Sequence, residues 1–335
     1  MSRARELFQK FKWPAYLLAL AALCALPFVI TKTVYVRYAC NILIYATLAG
    51  SLNIINGYSG QTNLGQAGFF AIGAYTSAVL STRFGISFWF LLPIAGLLSA
   101  LVGLLVALPT LKLRGIYLSI VTLGASEIIR IIAQTWTSVT GGAIGIKQIP
   151  YPWMFGLDTF RPRYYYFILL LIGILFLFVT ARVLTSRVGR SWIAIREDEI
   201  AAKSLGVGTS FYKSLNFMYG AFWAGVIGCA YAPFVNYIEA SQFSAETGFN
   251  VLAMIVIGGQ GTLIGPILGS IIVTVLTESL RFLESWRYVI YAVLIIAMMW
   301  VRPQGIAGAS NSILAGGKIK RRGAAADSKG GAQRA

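Results

Sequence analysis

Apolar residues in this 335-residue chain fall into long stretches separated by short breaks rich in charged residues, Gly or Pro. About twenty apolar residues in helical form cross a hydrocarbon core of about 30 Å. The pattern predicts spans at Pro14–Ile30, Tyr38–Ile55, Leu64–Ser81, Phe88–Leu108, Gly115–Ala133, Tyr164–Ala181, Ser214–Ala232, Phe249–Gly258, Leu263–Leu280 and Tyr288–Val301. That makes ten. Leu64–Ser81 is rich in Gly and Ala, and Phe249–Gly258 is too short to cross alone, so eight or nine is the lower count. The expected fold is an all-α, polytopic membrane helix bundle.

Positive charge gives the layout a direction. With residues 1–13 in the cytoplasm and the spans alternating, nineteen of the 28 Lys and Arg lie on the inner side, as the positive-inside rule requires. Both termini then face the cytoplasm, which needs an even number of spans. The domain plan is a cytoplasmic segment 1–13, a transmembrane domain 14–301 with an inner loop at 182–213, and a basic tail 302–335. Gly, Ala, Ser, Lys and Arg dominate that tail; it is expected to be disordered and able to touch anionic lipid. Residues 134–163 form an outer loop made irregular by Gly141-Gly142 and three prolines. The first apolar stretch is longer than a signal-peptide core and no A-x-A site follows it, so it reads as a retained helix.

Composition then narrows the chemistry. Only 12% of residues are charged, about half the share in soluble domains. The net charge of +17 is dispersed among apolar runs, so it does not form a nucleic-acid footprint. There is no histidine, which removes imidazole triads and His–metal sites. Cys24, Cys40 and Cys229 are far apart in apolar segments and read as small buried side chains. No phosphate-binding loop occurs; Gly316-Gly317-Lys318 is followed by Ile319. No catalytic or metal-binding residue is expected, and any ATP and magnesium must sit on another chain.

The inner loop is the most informative segment. Trp192 to Val207 predicts a short helix, with Ile193, Ile200 and Ala201 at helical spacing. Glu197, Asp198 and Glu199 would lie in its first turns, where the helix dipole favours acids, with Lys203 near its end. Gly206 is placed to stop it. Such a helix suits a partner's groove, or the lipid interface; three adjacent acids argue against an anionic surface.

Here the sequence resembles a family. Residues 194–206, from Ala194-Ile195-Arg196-Glu197-Asp198-Glu199 to Leu205-Gly206, are similar to the M-type permease subunits of branched-chain amino acid ABC importers. Four further stretches match in order: LNIINGYSGQTNLGQAGFFAIGAY (52–75), GIYLSIVTLGASEIIR (115–130), IGGQGTLIGPILG (257–269) and RPQG (302–305). The resemblance implies a type II importer fold in which Ile193, Arg196, Glu197, Asp198, Glu199, Ala201, Ala202 and Gly206 couple to an ATPase. It also implies two ATP-binding cassette subunits, a second related permease, an outer solute-binding protein and a bacterial inner-membrane location. The implied cargo is branched-chain or related amino acids, with urea or amides as relatives' alternatives. One departure stands out. In the general E-A-A-x-x-x-G pattern the acid precedes the alanines directly, whereas here Glu199 comes one residue early and Ile200 fills its slot.

Other polar positions carry the remaining candidates. Asn56, Gln61, Asn63 and Gln66 alternate with glycines in a segment that must be buried or line a polar cavity; they could bond a solute or tie helices together. Many relatives carry His at position 66 and Ser at 63. Gly258, Gly259, Gln260, Gly261 and Thr262 form a second candidate helix break, and Gly261, Gly265 and Gly269 suit close helix approach. Glu127 and Arg130 share a helical face and suit an intramembrane ion pair, as do Glu278 and Arg281. The competing function, a stand-alone gradient-driven transporter, would need paired midplane acids or an acid–His relay, which the chain does not offer.

Overall fold

The structure, a computed structural model, describes residues 23–28, 32–111, 113, 115–152, 161–279, 293, 296, 300 and 305–308. Its elements in chain order begin with α1 (residues 23–28), α2 (Thr33–Asn53), α3 (Gln66–Phe84), α4 (Phe88–Thr110) and α5 (Ile116–Thr135). A single-turn α6 (Thr137–Thr140) and strand β1 (Ile146–Lys147) precede α7 (Pro162–Thr185), α8 (Arg187–Glu197) and α9 (Glu199–Ser204). Then come α10 (Thr209–Val235), β2 (Tyr237–Ile238), α11 (Ala245–Gly258) and α12 (Gly265–Ser279). Among the described residues the only sheet is the antiparallel pair β1–β2. This is a polytopic helical membrane protein.

Among the described residues five helices are long and apolar enough to cross a membrane: α2 with the turn that extends it to Tyr58, α4, α5, α7 and α10. Of the expected span Pro14–Ile30 only residues 23–28, the helical α1, are described, and of Tyr288–Val301 only residues 293, 296 and 300. α11 is shorter, at 14 residues, so it rises only about 21 Å, and α12 is described over 15 residues, up to where the described residues stop at Ser279. The segment expected as Phe249–Gly258 starts four residues earlier, but still falls short of a full crossing.

α10 is the hub. It packs chiefly against α3 and α4, and small residues let it do so. Gly220, Ala221, Ala224, Gly225 and Gly228 are all buried, and a methyl on Gly73 of α3 would strike the Gly225 carbonyl. In lipid, apolar burial does not drive helices together, so such backbone contact supplies the attraction. Large aliphatic side chains of α4 and α5 point outward. Leu97, Leu101, Leu105 and Leu108 of α4, with Ile116, Ile120 and Ile128 of α5, are exposed, as a lipid-facing surface requires.

The expected outer loop at 134–163 is described over residues 134–152 and 161–163. Residues 134–147 are organised, with α6, a 3-10 turn at Gly142–Ile144 and β1 paired to β2; residues 153–160 lie outside the description. β1–β2 marks one face of the bundle, while α8 and α9 mark the other, beside the C-terminal end of α2.

Candidate functional site

α2 does not end cleanly. After Asn53 it widens into a five-residue π turn, Ile54–Tyr58, a feature common at functional sites. The chain leaves helical form at Ser59 and returns as α3 at Gln66. Backbone exposed by such a break needs partners, and the amide side chains of this segment supply them. Asn56 and Asn63 bracket each other: Asn63 N donates to Asn56 Oδ1 (3.0 Å) and Asn56 Nδ2 donates to the Asn63 carbonyl (3.2 Å). Gln66 Nε2 donates to Ser51 Oγ (2.7 Å) and the Gly220 carbonyl (3.3 Å), while its Oε1 accepts from Asn63 Nδ2 (3.0 Å). Gln61 Nε2 reaches Ser59 Oγ (2.8 Å) and Asn216 Oδ1 (3.4 Å), and Asn216 Nδ2 bonds the Ile54 carbonyl (3.1 Å). These groups are engaged within the protein.

The second break lies between α11 and α12. Gly259 and Gly261 have φ of +115° and +72°, a region that side-chain-bearing residues rarely occupy. α11 and α12 then run back to back; a methyl on Gly269 would meet the Met254 carbonyl and one on Gly258 the Gly265 carbonyl. Thr262 Oγ1 accepts from Gly265 N (2.9 Å) and donates to the Gly259 carbonyl (2.8 Å). Gln260 sits exposed at the tip. Part of the segment expected as tail closes this end: Ile306 N and Ala307 N donate to the Ile257 and Gly258 carbonyls (3.0 and 2.9 Å).

One residue of α2 holds the two breaks together. Asn53 Oδ1 accepts from Gly261 N and its Nδ2 donates to the Thr262 carbonyl, both at 2.8 Å.

The inner loop differs from the single helix expected. It forms two helices hinged at Asp198, whose extended backbone ends α8 and whose Oδ1 accepts from Ile200 N (2.8 Å) and Ala201 N (3.0 Å) to cap α9. A side chain that caps well stops one helix as readily as it starts the next. The three acids therefore part company: Glu197 is exposed at the end of α8, Asp198 is the cap, and Glu199 pairs with buried Lys213 of α10 at 2.5 Å. Gly206 does end α9, at φ +83°. Val207 N bonds the Ala202 carbonyl and Gly206 N the Lys203 carbonyl, both at 3.0 Å, which is a Schellman closure.

α8 is seated by Trp192, which is buried and donates through Nε1 to the Tyr212 carbonyl (2.9 Å), with Ile195 buried one turn on. Arg196 crosses to the first break: its Nη1 donates to the Gly57 carbonyl at 2.6 Å. The same guanidinium lies against Gly261, where an added methyl would come within 2.6 Å of Nη1. Outward, Ile193 is partly exposed, while Ile200 and Leu205 are 70% and 85% exposed; Ala201 faces out and Ala202 in.

A family profile described as "Branched-chain amino acid transport system / permease component" matches residues 34–299. The chain belongs to this family. It is 40% identical over 320 residues to the "High-affinity branched-chain amino acid transport system permease protein LivM" of Escherichia coli, covering 88% of this chain and 75% of the relative. A Methanocaldococcus jannaschii protein, "Probable branched-chain amino acid transport permease protein LivM", is 26% identical over 311 residues, covering 78% and 90%. No solved structure matches.

Within the permease, Glu127 and Arg130 form an ion pair at 2.6 Å, and Glu127 Oε1 also accepts from Ala245 N (3.1 Å). Glu127 lies eight residues, about 12 Å, before the end of α5, so α11 starts below the bundle surface, and this carboxylate answers its positive N-terminal end. Arg281, proposed to partner Glu278, lies outside the described residues. Among the described residues no cluster of His, Cys, Asp and Glu could hold a metal. Reasoning from sequence missed Asn53, Lys213 and Asn216. A polar side chain inside an otherwise apolar helix was their available signal.

Proposed function

We propose that this permease forms half of the transmembrane pathway of an ATP-driven importer of branched-chain or related amino acids. Its α8–α9 face is the cytoplasmic one, both termini are cytoplasmic, and the membrane is the bacterial inner membrane. Two ATPase subunits hold ATP and magnesium, a second related permease completes the pathway, and a solute-binding protein outside delivers the cargo. The chain itself makes and breaks no covalent bonds.

The observation that carries this reading is Arg196. It sits on α8, which presents Ile193 outward beside Ile200 and Leu205 of the adjoining α9, and it bonds the Gly57 carbonyl within the helix break. Asn53 ties that break to the turn between α11 and α12. A push on α8 and α9 from a closing ATPase pair therefore reaches two discontinuous helices at once. Discontinuous helices are where transporters place moving backbone near the pathway, and rigid-body rocking of α2, α11 and α12 would switch access between the two sides.

The test is a mild-detergent pull-down of the full chain from its native membrane, with every co-purifying protein identified. Recovery of ATPases bearing Walker motifs and of a second permease is the expected result. Recovery of the chain alone, while a coupled control complex survives the same detergent, would sink the reading. In the same assay Leu205→Glu should release the ATPases and leave membrane insertion intact.

A further inference from the structure

On the face opposite α8 and α9, a cavity of 460 Å³ lies between α2, α10, α11 and α12. Its α2 wall comes from the early turns, Arg37, Asn41 and Tyr45. Arg37 is sixteen residues, about 24 Å of helix, from the Asn53 end that meets the breaks. Tyr45 is two turns deeper than Arg37, so the cavity reaches about 12 Å into the bundle.

Its chemistry is unusual for the mouth of an apolar helix bundle. Arg37 and Glu278 both line it. The Arg37 side chain is exposed at the outer end of α2, and among the described residues it has no ion-pair or hydrogen-bond partner. Glu278 Oε2 is buried with none, and so is the neighbouring Thr274 Oγ1. Ionisable groups at membrane depth are costly unless something answers them, and they mark substrate pathways. Here a cation and a carboxylate share one cavity without neutralising each other. Phe234, Val235, Met254 and Val273 make the remaining wall apolar.

We propose that this cavity binds a zwitterionic α-amino acid with an apolar side chain, its carboxylate on Arg37 and its ammonium on Glu278 and Thr274. A simple anion would answer Arg37 and be repelled by Glu278, and a simple cation would do the reverse. A molecule carrying both charged groups on one carbon, with a hydrocarbon branch for the apolar wall, answers all three features. The volume lies in the range of small-molecule pockets and leaves room for water around one amino acid. The proposal rests on the importer reading and adds an outward-side site within this single chain.

The test uses the complete importer, reconstituted in proteoliposomes with its binding protein, and L-leucine as the probe. Arg37→Gln and Glu278→Gln should each lower ATP-driven leucine uptake at least tenfold while ATP hydrolysis stays within twofold. Uptake within twofold of wild type for both variants would overturn the site and leave the importer reading standing. A wild-type complex that hydrolyses ATP but imports no leucine would overturn the importer reading, and the site with it. Should a charge variant fail to assemble, Thr277→Cys decides. Thr277 is exposed on the cavity wall, and a thiosulfonate reagent there should block uptake and be slowed by leucine, relative to the wild-type chain with its own cysteines. Full labelling with unchanged uptake would overturn the site.

Discussion

Arg196 joins an exposed helix to a carbonyl inside the bundle, and that bond depends on guanidinium geometry. Its Nη1 reaches Gly57 at 2.6 Å while its stem packs against Gly60, where an added methyl would lie 3.1 Å from Cγ. A lysine keeps the charge but loses the planar fork. Losing a charge-assisted hydrogen bond costs about 1.5–3 kcal/mol, so Arg196→Lys should lower uptake by roughly 10- to 100-fold. ATP hydrolysis by the assembled complex should persist, which vesicle uptake and phosphate release measured together would check. Glu199 and Lys213 make a different kind of bond. Lys213 is 7% exposed, so Glu199→Gln leaves a buried ammonium without its counter-charge and should destabilise the chain by about 3 kcal/mol. Adding Lys213→Met removes the stranded charge, and thermal unfolding of the double variant should recover most of the loss.

At the scale of elements, the decisive feature of the inner loop is its hinge. A single helix through residues 192–206 would hold Ile193 and Ile200 in fixed phase. The Asp198 cap instead lets α8 pack on the bundle through Trp192 while α9 projects Ile200 and Leu205 outward. Asp198→Ala removes the side-chain bonds to Ile200 N and Ala201 N, a loss of about 1 kcal/mol from a helix of only six residues. The expected outcome is reduced ATPase recovery in the pull-down with unchanged amounts of permease in the membrane. α11 shows the same principle inside the bundle: a helix of only 14 residues persists because Glu127 answers its N-terminus and residues 306–307 answer its C-terminus.

At the scale of the whole molecule, one buried amide yokes two breaks that lie more than two hundred residues apart in the chain. Asn53→Ala leaves the Gly261 N–H and the Thr262 carbonyl without these partners and should cost about 2 kcal/mol for the pair of bonds. Because that cost falls on the link between α2 and α11–α12, leucine uptake should drop by at least tenfold with ATP hydrolysis retained; parallel loss of both activities would mean that the bond is only structural. The family, the helical class and the Gly- and amide-rich segments were legible in the sequence, because bilayer thickness, backbone satisfaction and ordered motifs all act on local composition. The roles of particular side chains were less so. Glu197, Asp198 and Glu199 read as one acidic group and became an exposed end, a cap and the partner of a buried lysine.

The sequence by itself determined that the chain crosses a membrane many times, where its breaks fall, and that it carries no phosphate loop or histidine chemistry. Those follow from the energetics of each segment against lipid and water. Only the tertiary structure decided that Asn53 meets Gly261 and Thr262, that Arg196 meets Gly57, and that Arg37 and Glu278 line one cavity. Each of these joins residues far apart in the chain, and the packing of small residues along α3, α10, α11 and α12 is what brings such partners within hydrogen-bonding distance or onto a shared wall.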